Sequence, residues 1–201
     1  MAKRTERRAG DTRTAILDIA ERLVQNRGFN GFSYADVAEQ LNITTPALHY
    51  HFAGKAELGE ALISRYAARF AVALEQIDAT VTDAPAMLGA YADLYLDVLR
   101  DQRMCLCGML AAEYETLPKP MTETVIRFFD DNERWLAHVL EQGRRKKTLQ
   151  FAGTTIQAAR MIVGALEGAM LLARPYGDIA RFQASAARLV ADLIPPTTAR
   201  R

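Results

Sequence analysis

The segment Asn42–Phe52, NITTPALHYHF, gathers two threonines, two histidines and a tyrosine between apolar anchors. Hydroxyls and imidazoles at this density fit three chemistries: metal ligation, acid–base catalysis, or hydrogen bonding to a charged surface. Metal ligation fits poorly. His49 and His51 are two residues apart, which points them to different sides of a helix, whereas helical zinc pairs sit four apart. No acidic or sulfur partner lies nearby, so no metal is expected. A second stretch, RMCLCGMLAAEYETLP over residues 103–118, holds both cysteines, Cys105 and Cys107. One intervening residue sends them to different sides of a helix. Free cysteines commonly behave as small buried hydrophobes. The alternative is a thiol sensor: Arg103 and a nearby helix start would both favour the thiolate of Cys105 over that of Cys107. A thiol enzyme would need a base such as His138. No partner motif, glycine-rich phosphate loop or metal-ligand set accompanies either cysteine, so neither catalysis nor a cofactor is expected.

The elements that must position these residues are helical. Ile16, Ala20, Leu23 and Val24 fall at i, i+4, i+7 and i+8 on one helix face. Gly28 ends that helix, with Arg27 in its last turn. Ser33 suits an N-cap for a short helix carrying Val37, Ala38 and Leu41. Asn42 follows where a left-handed residue is wanted. Thr44 then caps a second short helix, with Thr45 and Pro46 in its first turn, where proline costs little. Gly54 breaks it, and a long helix runs from about 55 to 80. Prolines 85, 118, 120 and 175 and Gly153 punctuate further helices near 86–101, 104–116, 121–145, 154–174 and 178–193. The expected fold is all-α, an N-terminal three-helix part followed by a larger helical part, with no alternating strand and no internal repeat. The domains are drawn at 1–54, 55–194 and a frayed tail at 195–201.

Wound as a helix, residues 45–52 put Leu48 and Phe52 on one face, toward a core of Ile16, Ala20, Leu23, Val37 and Leu41. Pro46, Ala47, His49 and Tyr50 are driven outward. Pro46 and Ala47 are small and permit close approach, while His49, Tyr50 and the threonine hydroxyls offer hydrogen bonds to an anion. A short helix, an abrupt turn and a second helix with such a face make a helix-turn-helix, whose second helix lies in the DNA major groove.

Charge placement agrees. The 201-residue chain, half hydrophobic, has a formal net charge of only +1. Residues 1–13 nevertheless hold Lys3, Arg4, Arg7, Arg8 and Arg13 against Glu6 and Asp11, a basic arm suited to a polyanion or simply to solubility. Arg7 or Arg8 could reach an adjacent minor groove. The start is periodic rather than continuously apolar, unlike a signal peptide. The run VGALEGAMLLA, interrupted by Glu167, is too short to span a bilayer. A reducing cytoplasm, without a membrane partner, is the expected setting.

The stretch FSYADVAEQLNITTPALHYHFAGKAEL, residues 32–58, strongly resembles the DNA-binding domain of TetR-family transcriptional repressors. The resemblance covers about residues 11–60. It implies a homodimer that binds a palindromic operator on double-stranded DNA, with C-terminal helices forming a ligand cavity and a dimer interface. Position by position, it implies phosphate-contacting caps at Ser33 and Thr44 and base-edge contacts from Thr45, Pro46 and Ala47. His49, Tyr50 and His51 would pass over the backbone, and Lys55 would sit beside a phosphate. Two residues depart from the pattern. Asn42 stands where the family usually has glycine, and His49 where it usually has tyrosine, a change that would make binding pH-sensitive.

For sensing, two readings stand. The stretch around Cys105 is similar to that of a TetR subgroup that responds to reactive electrophiles through a cysteine at that position. The other reading is a reversible inducer held in a cavity lined by Tyr66, Phe70, Tyr91, Tyr95, Phe128, Trp135 and Met161, or these aromatics are plain core. Glu113, Glu167 and His138 need partners if they face inward. Gly164, Ala165, Gly168 and Ala169 allow close helix approach, and Leu166, Met170, Leu189, Val190 and Leu193 supply apolar area. Helices 154–174 and 178–193 are therefore the expected dimer interface. A helical protein-interaction module without specific DNA binding is the alternative from another class.

Overall fold

The computed structural model describes residues 2–196, with side chains from residue 10 onward. Among these every regular element is helical: α1 (Ala2–Arg27), α2 (Tyr34–Leu41), α3 (Thr45–His51), α4 (Lys55–Thr80), α5 (Ala84–Arg100), α6 (Leu106–Ala112), α7 (Lys119–Lys146), α8 (Thr155–Ala173) and α9 (Ile179–Ala191). Single 3₁₀ turns follow α6 (Tyr114–Thr116) and α8 (Arg174–Tyr176). Caps explain the boundaries. Ser33 and Asp36 form a reciprocal capping box at α2. Asp83 caps α5 and leaves Pro85 in the first turn, so that helix starts before the expected break. Thr154 and Gln157 form a second capping box at α8.

Three expectations change. The basic arm is not a separate segment, because α1 begins at Ala2; its good helix formers outweigh Thr5 and Gly10. The side chains of Arg7 and Arg8 lie outside the described residues, as do residues 197–201 of the expected tail. The single helix expected at 104–116 is broken: Cys105 is the N-cap of α6, and Glu113 closes α6 before the 3₁₀ turn. Finally, Thr155–Tyr176 is long and apolar enough to cross a membrane by length and composition alone. The apolar run looked too short because the helix extends it backwards through Ile162, Ala159 and Ala158. Those residues are buried within the chain, whereas Met161, Leu171 and Leu172 on the same helix are exposed.

Spatially the chain forms two compact units. The first comprises residues 1–68 and 105–126, and the second residues 69–104 and 127–201. In the first unit α1 packs on α2, α3 and α6. Ile16, Ala20, Val24, Val37, Leu48, Phe52, Leu58 and Ile63 are its sealed core; Leu41, expected there, is only half-buried. In the second unit α5, α8 and α9 pack on one another; Leu166, Met170 and Phe182 are buried there, and Tyr91 and Tyr95 are buried against Phe70.

Candidate nucleic-acid interface

Helix α3 turns one face in and one face out. Leu48 and Phe52 are fully buried, while Tyr50 is 83% exposed. Pro46, Ala47 and His49 are exposed, and Thr45 and His51 half-exposed. The turn before α3 is built by Asn42, left-handed at φ 52°, whose N–H closes α2 on Ala38 and Glu39 carbonyls. Asparagine tolerates this conformation, so the departure from glycine is mild. Thr44 Oγ1 accepts from Ala47 N at 3.4 Å, and Ser33 Oγ accepts from Asp36 N at 3.3 Å. Ser33 O–H and N–H both donate to the Asp36 carboxylate, at 2.5 and 2.6 Å. Those bonds hold the Asp36 carboxyl below the usual carboxylate range, with Arg27 adding to the effect. Both caps expected from sequence are therefore formed.

The imidazole of His49 is held in place. Its Nδ1 lies 3.1 Å from Ala53 O, and its ring packs against Tyr34 with centroids 4.8 Å apart. Tyr34 in turn donates its hydroxyl to Phe52 O at 3.2 Å. Burial, helped by the negative charge of Glu57, pushes the Tyr34 phenol up to about 12. Glu57 also accepts from Ala53 N at 2.8 Å.

Lys55 has a structural task that its sequence position did not reveal. Its Nζ donates to the carbonyls of Phe29 and Phe32 and lies 4.7 and 4.2 Å from the centroids of their rings. Burial lowers its pKa, against the opposing pull of Glu113 and Asp36. Two of three ammonium donors are thus committed to the α1–α2 turn, leaving one for any phosphate.

Sequence reading also missed what holds the other side of that turn. Glu113 accepts from Phe29 N at 2.5 Å and Asn30 N at 3.2 Å. Asn30 Nδ2 donates to Thr116 Oγ1 at 2.7 Å. Gly28 adopts φ 81°, and a Cβ there would lie 2.6 Å from Glu113 Oε1. The signal was present only as a glycine at a helix end; that a carboxylate 85 positions later would fill the space is a tertiary fact. The partner that an inward Glu113 needs is the backbone of this turn.

The proposed sensing residues fall into both units. In the first, Cys105 and Cys107 are buried. Cys105 Sγ accepts from Gly108 N at 3.4 Å and from the Tyr66 hydroxyl at 3.7 Å. The guanidinium of Arg103 is paired with Asp101. In the second unit, the Tyr91 hydroxyl lies 3.1 Å from that of Tyr95 and donates to Asn132 Oδ1 at 3.1 Å. Trp135 stacks on Tyr91 at 5.6 Å and donates to Asp78 at 3.0 Å. Phe70 meets Tyr91, Tyr95 and Phe128 edge-on. Glu167 is half-buried. Met161, expected with these aromatics, is instead 52% exposed, and His138 is also exposed. An apolar groove of about 410 Å³ between α5 and α9 is lined by other residues, among them Ala92, Leu96, Phe182 and Val190.

On the expected dimer face, a Cβ added at Gly164 or Gly168 would meet nothing within 4 Å, and Leu171 and Leu172 are exposed. Leu189 is half-buried. Leu193 does not belong to this face: it is buried in its own chain, where its carbonyl accepts from Gln150 N at 2.7 Å. Among the described residues no group of three or more His, Cys, Asp or Glu side chains could hold a metal ion.

Residues 16–62 match the family described as bacterial regulatory proteins, tetR family, and residues 84–189 match the tetracyclin repressor-like C-terminal domain. The chain is 32% identical over 103 residues to the HTH-type transcriptional regulator TtgR of Pseudomonas putida, a match spanning 48% of this chain and 49% of that protein. It thus spans about half the length of that relative. It is 26% identical over 178 residues to the HTH-type transcriptional repressor NemR of Escherichia coli, covering 87% of this chain and 88% of that one. A TetR-family regulator from Agrobacterium tumefaciens superposes with a TM-score of 0.90 at 29% identity, over 93% of this chain and 100% of that one. The reduced form of E. coli NemR shares the fold, with a TM-score of 0.81 at 23% identity over 94% and 100% of the two chains. With both domain types matched in order, the second over more than half of the chain, the chain belongs to the TetR family of helix-turn-helix transcriptional regulators, not to an enzyme family.

Proposed function

We propose that this regulator is a repressor that binds a palindromic operator as a homodimer and leaves it in response to a small-molecule inducer or a reactive electrophile. The observation that carries the DNA reading is the two-faced α3, with Leu48 and Phe52 sealed into the core and Tyr50 and His49 displayed. Residues 1–54 read DNA, and residues 55–194 sense and dimerise. Ser33, Thr44, His49, Tyr50, His51 and the remaining donor of Lys55 meet phosphates, which give affinity and orientation. Thr45, Pro46 and Ala47 meet base edges, which give preference between sequences. Pro46 and Ala47 offer apolar contacts only, such as to a thymine methyl. Working on DNA in a bacterial cell places the protein in the cytoplasm.

Dimerisation rests on α8. Gly164 and Gly168 open onto free space within the chain, and Met161, Leu171, Leu172 and Tyr176 are exposed apolar side chains on the same helix and the turn after it. Two copies would bring their reading helices about 34–36 Å apart, one turn of DNA. The test is recovery of a binding duplex from a random pool by the full chain, followed by titration against salt. A palindromic duplex, with affinity falling steeply as salt rises, is expected. Weak binding without sequence preference would leave the helical interaction module as the better reading.

For the signal, two observations favour different inputs. Cys105 Sγ accepts hydrogen bonds from Tyr66 on α4 and Gly108 on α6, so a covalent change at this sulfur would disturb both helices, and the NemR relative has been solved in a form described as reduced. The Tyr91–Tyr95–Asn132 network, with Trp135 and Phe128, instead gives a polar patch inside an aromatic lining suited to a reversible ligand. Treatment with a thiol-selective electrophile separates them. Release of DNA by wild type but not by Cys105→Ser assigns the signal to the thiol. Equal release from wild type, Cys105→Ser and Cys107→Ser returns both cysteines to core packing.

A further inference from the structure

We infer that His49 meets the DNA backbone through Nε2 as an imidazolium, so that operator binding takes up a proton at each half-site. This rests on α3 being the DNA-facing helix and adds what the ring must do there. A carbonyl oxygen only accepts, so the 3.1 Å contact between His49 Nδ1 and Ala53 O places a hydrogen on Nδ1. In a neutral ring Nε2 then carries a lone pair. Nε2 lies on the edge away from Ala53, and the side chain is exposed. A phosphate oxygen is also an acceptor, so a neutral His49 would set two acceptors against each other. Only the doubly protonated ring satisfies Ala53 O and a phosphate together. A tyrosine at this position would offer its O–H at any neutral pH. The histidine makes the same contact conditional on a proton.

The surroundings hold the ring. Tyr34 on α2 packs on one face and is anchored through Phe52 O. Its phenol ionises only near 12 and stays neutral throughout the imidazole range. Glu57 on α4 accepts from the N–H of Ala53, whose carbonyl accepts from His49. Asp36 on α2 is engaged by Ser33 and Arg27. Lys55 on α4 points its ammonium to the Phe29 and Phe32 carbonyls. Arg13 on α1 lies over the Phe52 ring. Tyr50 and His51 share α3 and pack edge-on to each other. His51 and His138 are the chain's other histidines, so the assignment can be separated from general titration.

The sign follows from linkage. An anion favours the protonated ring, so binding takes up a proton and affinity falls as pH rises, by at most about tenfold per pH unit for each contacted half-site. The experiment uses the full chain and a duplex selected from a random pool at pH 6, titrated from pH 5.5 to 8.5 at constant ionic strength. Wild type should lose affinity across this range. His49→Gln should lose the slope, while His51→Gln and His138→Gln keep most of it. His49→Tyr should bind at pH 8 more tightly than wild type. A long-range ¹H–¹⁵N spectrum of the free protein at pH 8 should show His49 as the Nδ1–H tautomer. An Nε2–H tautomer, or an unchanged slope in His49→Gln, overturns the assignment while leaving DNA binding by α3 intact. Failure of wild type to bind any duplex specifically would overturn the DNA reading itself, and this inference with it.

Discussion

Residues two positions apart on α3 carry opposite consequences. Leu48 is fully buried, so Leu48→Ala removes transfer energy and leaves a cavity, a loss of about 2–5 kcal/mol readable in denaturant unfolding. Tyr50 is exposed, so Tyr50→Ala should leave stability within about 0.5 kcal/mol while weakening binding to all duplexes alike. Changes at Thr45 or Ala47 should shift preference between sequences instead. Two ionisations mark the same module. Asp36 has a lowered pKa from its bonds to Ser33, so its contribution is present above the ordinary carboxylate value and lost as pH falls through the lowered one. Tyr34 has a raised pKa of about 12, so its contribution is complete below pH 10 and lost as pH rises from there toward 12. Unfolding followed at both extremes should show stability declining in each window, with Tyr34→Phe abolishing the alkaline one. The caps, the inner pair and the outer face were all legible here because helix period and cap chemistry are local. The inward reach of Lys55 was not, since its partners lie 23 and 26 positions away.

At the scale of elements, the turn between α1 and α2 is held from both sides, its carbonyls by Lys55 and its N–H groups by Glu113. The second hold ties the segment after α6 to the start of the helix-turn-helix. Gly28→Ala meets two obstacles, a left-handed φ and the Glu113 carboxylate, and should cost about 1 kcal/mol or more. Glu113→Ala strips the N–H groups of Phe29 and Asn30 of their acceptor and should destabilise by about 1–3 kcal/mol. The double variant should be less destabilised than the sum, because the steric part of the glycine change disappears with the carboxylate. Strict additivity in a double-mutant cycle would show that the carboxylate does not press on Gly28.

For the whole molecule, α8 decides whether the chain works alone. Leucine at position 164 or 168 has room within one chain, so either substitution should leave the monomer fold intact by circular dichroism. Against a partner helix the same leucine overpacks, at about 1–3 kcal/mol, and should weaken both self-association in sedimentation and operator affinity. A chain that stays monomeric at micromolar concentration and still binds a palindrome tightly would remove α8 from the interface. Leu193→Ala should behave differently, lowering the stability of each chain, because that side chain is buried at home.

The sequence by itself determined the helices, the two caps, the Asn42 turn and the in-and-out division of α3, because each depends on spacing within a few residues. It also carried the family resemblance, since those short-range patterns are what helix-turn-helix sequences share. Tertiary structure decided the rest. It put Leu193 inside and Met161 outside, gave Cys105 the Tyr66 hydroxyl, turned Lys55 inward and set Glu113 on Gly28. It also divided the chain into compact units that interleave in sequence. None of these follows from periodicity, because each joins residues whose separation along the chain says nothing of their distance in space, and the cost of leaving a buried donor or acceptor unmet is settled only once the partners have met.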